Sequence, residues 1–283
     1  DWEYITKDLR REFIYYTLFL ITAALVTNVL PTLSSFFVTA QMGLAFTGVY
    51  AIATYIAAVI EVPYRSLSAI VNPQISVAIK EQDIPKATSL CQKVALNQFL
   101  AGATIFLIIW INIDLLFQIL PNGEQYATGK WVVFILGLTR LMISSFGIGG
   151  VPLGYSKFYY FSLLFTLVLM ISSIFLNYYL IPIYGMEGAA LSNLLSYSLY
   201  YLLIIATVIP LGRFRIVDKN WGYIALLLVA LFALNWAWQT YLPAMNIWVD
   251  SLLRSIVIIG GGMLIAYKAK LSPEINNQLT KHI

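Results

Sequence analysis

The sequence predicts an all-α, polytopic membrane protein with about eight transmembrane helices, and three observations carry that expectation. Hydrophobic residues make up 60 % of the 283, charged residues only 11 %, and mean hydropathy is +0.81. An ordinary soluble domain is about 25 % charged. Charge is also missing from whole stretches: the 48 residues from Phe13 to Ile60 hold none, nor do 94–113, 158–186, 188–212 and 220–249. The runs are apolar on every face rather than alternating, which excludes a membrane β-barrel.

A span takes roughly 20 residues, so the first run must hold two, at 14–40 and 44–71, with the break at Gln41-Met42-Gly43. Pro31 is expected to kink the first. Asn72-Pro73 is expected to end the second, because the residue before a proline avoids the α region. Residues 72–93 then stay at the surface, where KEQDIPKATSLCQK (80–93) reads as a polar turn and a short amphipathic start. The third and fourth spans fall at 94–118 and 131–150. The fifth, 158–180, is expected to stop at Pro182, and Gly185 turns the chain within 181–187. Gly188, Ala189, Ala190 and Ser192 open the sixth, 188–210, with a small-residue face of the kind that lets helix backbones pack closely. The seventh and eighth are 221–240 and 247–267.

Lysine and arginine set the orientation. With the N-terminus in the cytosol, Lys7, Arg10, Arg11, Lys80, Lys86, Lys93, Lys157, Arg213, Arg215, Lys219, Lys268, Lys270 and Lys281 face that side. Only Lys130 lies opposite, and Arg65, Arg140 and Arg254 fall within spans. Both termini are therefore expected in the cytosol. The net charge of +4 reports orientation and implies no nucleic-acid partner. Trp110, Trp131, Trp236, Trp238 and Trp248 fall near the outer boundary and Trp2 and Trp221 near the inner one, as interfacial tryptophans do.

Cys91 stands alone, on the cytosolic side. His282 is alone in a charged tail, whereas a metal site needs several ligands together, so neither metal nor cofactor is expected. No Walker loop, HExxH pattern or nucleophile elbow occurs. The first apolar run is too long for a cleavable signal peptide, and a first residue of Asp rather than Met points to a fragment or a processed chain.

Charges inside spans are the natural site candidates, each costing about 2.5–3.5 kcal/mol or more at the bilayer centre. Arg140 lies mid-span with no acidic residue three or four positions away. Arg65 shares a helix face with Glu61, four residues earlier, and Pro63 between them is expected to kink the helix. Glu61 and Arg65 either neutralise each other or act on a ligand. Asp250 and Arg254, also four apart, lie near the outer end, where snorkelling is cheap, and read as a structural pair. Asn28 and Asn97 are polar groups within spans, fit for interhelical hydrogen bonds or for lining a cavity.

Three segments, NYYLIPIYGMEGAALS (177–192), EVPYRSLSAIVNPQIS (61–76) and GKWVVFILGLTRLMISSFGIGGVPLGYSK (129–157), resemble segments of polysaccharide flippases of the multidrug/oligosaccharidyl-lipid/polysaccharide exporter superfamily, of the O-antigen or teichoic type. The resemblance implies that residues 1–212 are the second six-helix lobe of a transporter whose N-terminal lobe is missing here, and 213–283 two additional helices and a cytosolic tail. It implies a polyprenyl-pyrophosphate-linked oligosaccharide as cargo, carried across the bacterial cytoplasmic membrane for surface polysaccharide or lipopolysaccharide biosynthesis, without enzymatic activity. Arg65, Arg140, Glu61, Asn28 and Asn97 would line the cavity, with Glu61 holding Arg65 or taking up a coupling proton; another cation is the other coupling ion the family leaves open. The alternatives are a multidrug or lipid-linked peptidoglycan precursor exporter of the same superfamily, or a membrane polymerase or ligase of lipid-linked sugars. The short outer loops offer such an enzyme little to work with.

Overall fold

The computed structural model describes residues 6–156, 158–212, 215, 220–241 and 246–268. Trp2, Lys157, Arg213, Lys219, Lys270, Lys281 and His282 lie outside the described residues. Every regular element among those described is helical: α1 (Lys7–Met42), α2 (Leu44–Ala58), α3 (Val62–Lys80), α4 (Ile84–Ile111), α5 (Ile113–Ile119), α6 (Gly123–Ala127), α7 (Lys130–Phe146), α8 (Gly150–Gly154), α9 (Tyr159–Gly212), α10 (Asn220–Tyr241), α11 (Ile247–Arg254) and α12 (Gly261–Lys268). Short 3-10 turns join α2 to α3 (Val59–Glu61) and α7 to α8 (Gly147–Gly149), and a π-helical turn (Ser255–Gly260) joins α11 to α12. Six helices among the described residues are long and apolar enough to cross a membrane, which fits a polytopic membrane protein.

The chain reverses at glycines. Gly43, at φ 92, separates α1 from α2, where the break was expected. Beyond it the hydroxyls of Thr39 and Thr47 meet at 2.8 Å, whereas residues eight apart in one straight helix stand about 12 Å apart. In α9 the break is Gly185, at φ 60 and ψ −135. Eight residues again separate touching backbones: a Cβ on Gly188 would sit 2.2 Å from the Leu180 carbonyl oxygen. Further along, the Tyr200 hydroxyl hydrogen-bonds Thr166, so α9 is two antiparallel halves in contact. The small residue at 188 is what allows that approach.

Two prolines do less than expected: Pro182 and Pro73, expected to end their helices, lie inside α9 and α3. Pro73 and Pro182 are exposed, so the missing N–H and the ring crowd no neighbouring helix, and one lost bond does not end a long helix. A positive φ, which glycine adopts at little cost, does reverse it. The second span therefore extends to Lys80 rather than stopping at residue 71. The segment expected at the surface shrinks to a turn containing Gln82 at φ 59. Asp83 caps α4 by accepting the Lys86 N–H at 3.0 Å, and Pro85 fits the first helical turn. So α4 starts ten residues before the expected 94, and it ends at Asn112, which divides it from α5.

Aromatic contacts fix the relative directions of the helices. Trp221 stacks on Phe99 and meets Phe146 at a tilt, each 4.8 Å away, while Trp110 meets Trp131 at 5.6 Å. Midway, Phe232 touches Phe106 at 5.3 Å and Phe134 at 5.8 Å. Thus α4 and α10 run the same way and α7 runs against both. Trp221, expected at an interface, is buried at 8 % exposure, because the start of α10 lies over α4 and α7. The two largest apolar cores among the described residues are stacked along the bundle. One gathers Ile75, Cys91, Ile148, Ile204 and Ile224, and the other Tyr50, Ile60, Phe106, Leu136, Leu141 and Ile181.

Candidate functional site: one carboxylate shared by two arginines

The site forms at the waist between these cores. Ile60 and Leu136 belong to one core, Val71 and Ile143 to the other; in sequence Glu61 falls between Ile60 and Val71, and Arg140 between Leu136 and Ile143. Pro63 shapes the backbone here. It has no N–H to continue the ladder, so the Val62 N–H turns to the Val59 carbonyl, which makes a 3-10 turn before α3 begins. Gln98 on α4 braces the break by donating to the Pro63 carbonyl at 3.3 Å. Tightened in this way, the turn brings Glu61 against α7.

The Glu61 carboxylate serves two cations. Its Oε2 accepts from Arg140 Nη1 at 2.8 Å, and its Oε1 lies 3.4 Å from Arg65 Nε. The side chains of Glu61 and Arg140 are 10 % and 17 % exposed, that of Arg65 65 %. The short, enclosed contact dominates, since an exposed pair contributes only about 0–1 kcal/mol. Arg140, expected to stand without a partner, is therefore paired across helices. The Glu61–Arg65 pair is real but secondary. With one carboxylate for two guanidiniums, the triad carries one positive charge in excess.

Tyrosines lie near the enclosed Glu61–Arg140 pair. Tyr64 and Tyr197 lie within electrostatic range of Glu61, and Tyr50 and Tyr197 within range of Arg140. Tyr50 is fixed by Asn193, whose amide donates to the Tyr50 hydroxyl at 2.9 Å and to Ser34 at 3.0 Å, tying α1, α2 and the second half of α9 together. Sequence reasoning passed over this knot; a Ser, a Tyr and an Asn in otherwise apolar spans were its only trace. Asn97 is partly buried, one residue before Gln98. The side chain of Asn28 lies outside the described residues.

Arg254 forms the expected pair with Asp250, at 2.7 Å, but it does not snorkel: it is 4 % exposed. Trp238 adds an indole N–H to Asp250 at 2.9 Å. Beside them Asn112 bonds Ser251 and Ser255, so a polar seam fastens α11 to the α4–α5 junction. On the far side of α7 from Arg140, an apolar cleft of about 400 Å³ opens between Phe99, Leu141, Met142, Trp221 and Ala225. Neither a protein-family model nor a curated protein nor a solved structure matches this chain.

Proposed function

We propose that the chain is the second lobe, with two appended helices, of a transporter that moves a polyprenyl-pyrophosphate-linked oligosaccharide across the bacterial cytoplasmic membrane by alternating access. The observation that carries this reading is the Glu61–Arg140–Arg65 triad, a mid-bundle site with one uncompensated positive charge. An enzyme or a passive scaffold has no evident need to retain buried arginine at such cost. Guanidinium groups pair bidentately with phosphate oxygens, and Arg65 presents an exposed fork toward whatever enters. In this reading the spans number eight: α1, α2 with α3, α4, α7 with α8, the two halves of α9, α10, and α11 with α12. Lysine and arginine put both termini in the cytosol, and a first lobe supplies the opposite wall of the cavity. The resemblance of the three quoted segments to polysaccharide flippases points the same way, toward surface polysaccharide or lipopolysaccharide assembly.

Complementation tests it. The full-length protein carrying Arg140→Ala is expected to lose nearly all ability to restore surface polysaccharide in a flippase-null strain, a loss larger than its reduced membrane abundance accounts for. Arg140→Lys is expected to keep part, since a cation remains without the fork. Full restoration by Arg140→Ala would remove the reading.

A further inference from the structure

We propose that Glu61 is a built-in counter-anion that an incoming anionic ligand must displace from Arg140. This rests on the reading that the triad takes an anionic ligand, and it adds which ligands succeed. The two oxygens of Glu61 are divided, one to each arginine, at 2.8 and 3.4 Å. Arg140 is the enclosed cation, so a ligand oxygen reaching its Nη1 meets Glu61 Oε2 already there. An anion with a single negative charge can offset the triad's excess charge at the exposed Arg65 and leave the Glu61–Arg140 pair intact. An anion with two adjacent charged groups can take Arg140 as well, because it covers both guanidiniums at once and releases the carboxylate. Glu61 thereby sets a threshold of ligand charge, through repulsion that is strong in an enclosed site. A residue that only positions the arginines would have the opposite signature, since its loss would weaken every anion.

The test is equilibrium binding of inorganic pyrophosphate and inorganic phosphate to the purified full-length protein in detergent. Glu61→Gln is expected to bind pyrophosphate about tenfold tighter than wild type, a modest fraction of a close charge–charge repulsion, and to prefer it less strongly over phosphate. Glu61→Gln also removes the counterion of a buried arginine and can impair folding, so a second comparison keeps the triad's charge at its wild-type value. Arg65→Gln leaves a neutral Glu61–Arg140 pair and is expected to bind pyrophosphate weakly. Adding Glu61→Gln to Arg65→Gln is expected to restore binding. Equal or weaker binding on removing Glu61 in both backgrounds would overturn the counter-anion while leaving the anionic-ligand reading intact. Failure of every form, wild type included, to bind pyrophosphate would overturn that reading and this inference with it.

Discussion

At the scale of single residues, the contrast between Arg65 and Arg140 turns on enclosure. Both touch Glu61, but breaking a buried ion pair by removing one partner costs about 3–5 kcal/mol, against about 0–1 kcal/mol for an exposed one. Arg65→Gln is therefore expected to leave thermal stability in detergent nearly unchanged, while Arg140→Gln lowers it substantially. Removing the enclosed pair together, as Glu61→Gln with Arg140→Gln, is expected to be milder than Arg140→Gln alone, because no unpaired buried charge remains. Equal losses from Arg65→Gln and Arg140→Gln would refute the ranking. Cys91 makes a second residue-scale prediction. At 0 % exposure it is expected to resist a membrane-impermeant maleimide in intact and opened cells alike, so it cannot report orientation. A cysteine at exposed Glu81, in a Cys91→Ala background, is expected to label only after cells are opened; labelling in intact spheroplasts would reverse the topology. The Glu61–Arg65 spacing was legible because it is local. The Glu61–Arg140 contact was not, because it joins residues 79 apart in sequence and exists only once α7 packs on the 3-10 turn.

Among elements, the instructive errors concern what stops a helix. Proline at 73 and 182 was read as a terminator, yet the chain stays helical through both and reverses at Gly43 and Gly185. Apolar run lengths anticipated an all-helical chain with several helices long enough to cross a membrane, and the break of the first hairpin at Gly43, because they follow from the thickness of the bilayer core. Helix ends at the surface depended on a cap, Asp83, and on a positive φ at Gln82, neither of which periodicity reveals. Gly185→Ala is expected to destabilise by about 1–3 kcal/mol, the usual cost of holding an unsuitable residue in a sparsely populated conformation. Gly188→Val is expected to be worse, lowering membrane abundance sharply, since even its Cβ would overlap the Leu180 carbonyl. Wild-type abundance and thermal stability for Gly188→Val would mean that the two halves of α9 do not pack as described.

At the scale of the whole molecule, the last helices are fastened to the rest on both levels. Trp221 and Phe232 of α10 pack against aromatics of α4 and α7, and Asn112 bonds Ser251 of α11 and Ser255 of the π-helical turn after it. Truncation after residue 212 is therefore expected to uncover Phe99 and Phe106 and to reduce stability, which a peripheral helix pair would not do. The fold class was legible from composition alone, whereas the pairing of α10 with α4 needed aromatic contacts that no local pattern encodes. On the proposed reading as one lobe of a two-lobed transporter, in which alternating access moves one lobe against the other, this chain alone is expected not to transport. The most direct measurement is translocation of a lipid-linked oligosaccharide by the full-length protein in proteoliposomes, compared with its folded Arg140→Ala variant. The account predicts translocation by the first and almost none by the second; equal rates would contradict the cationic site on which it rests.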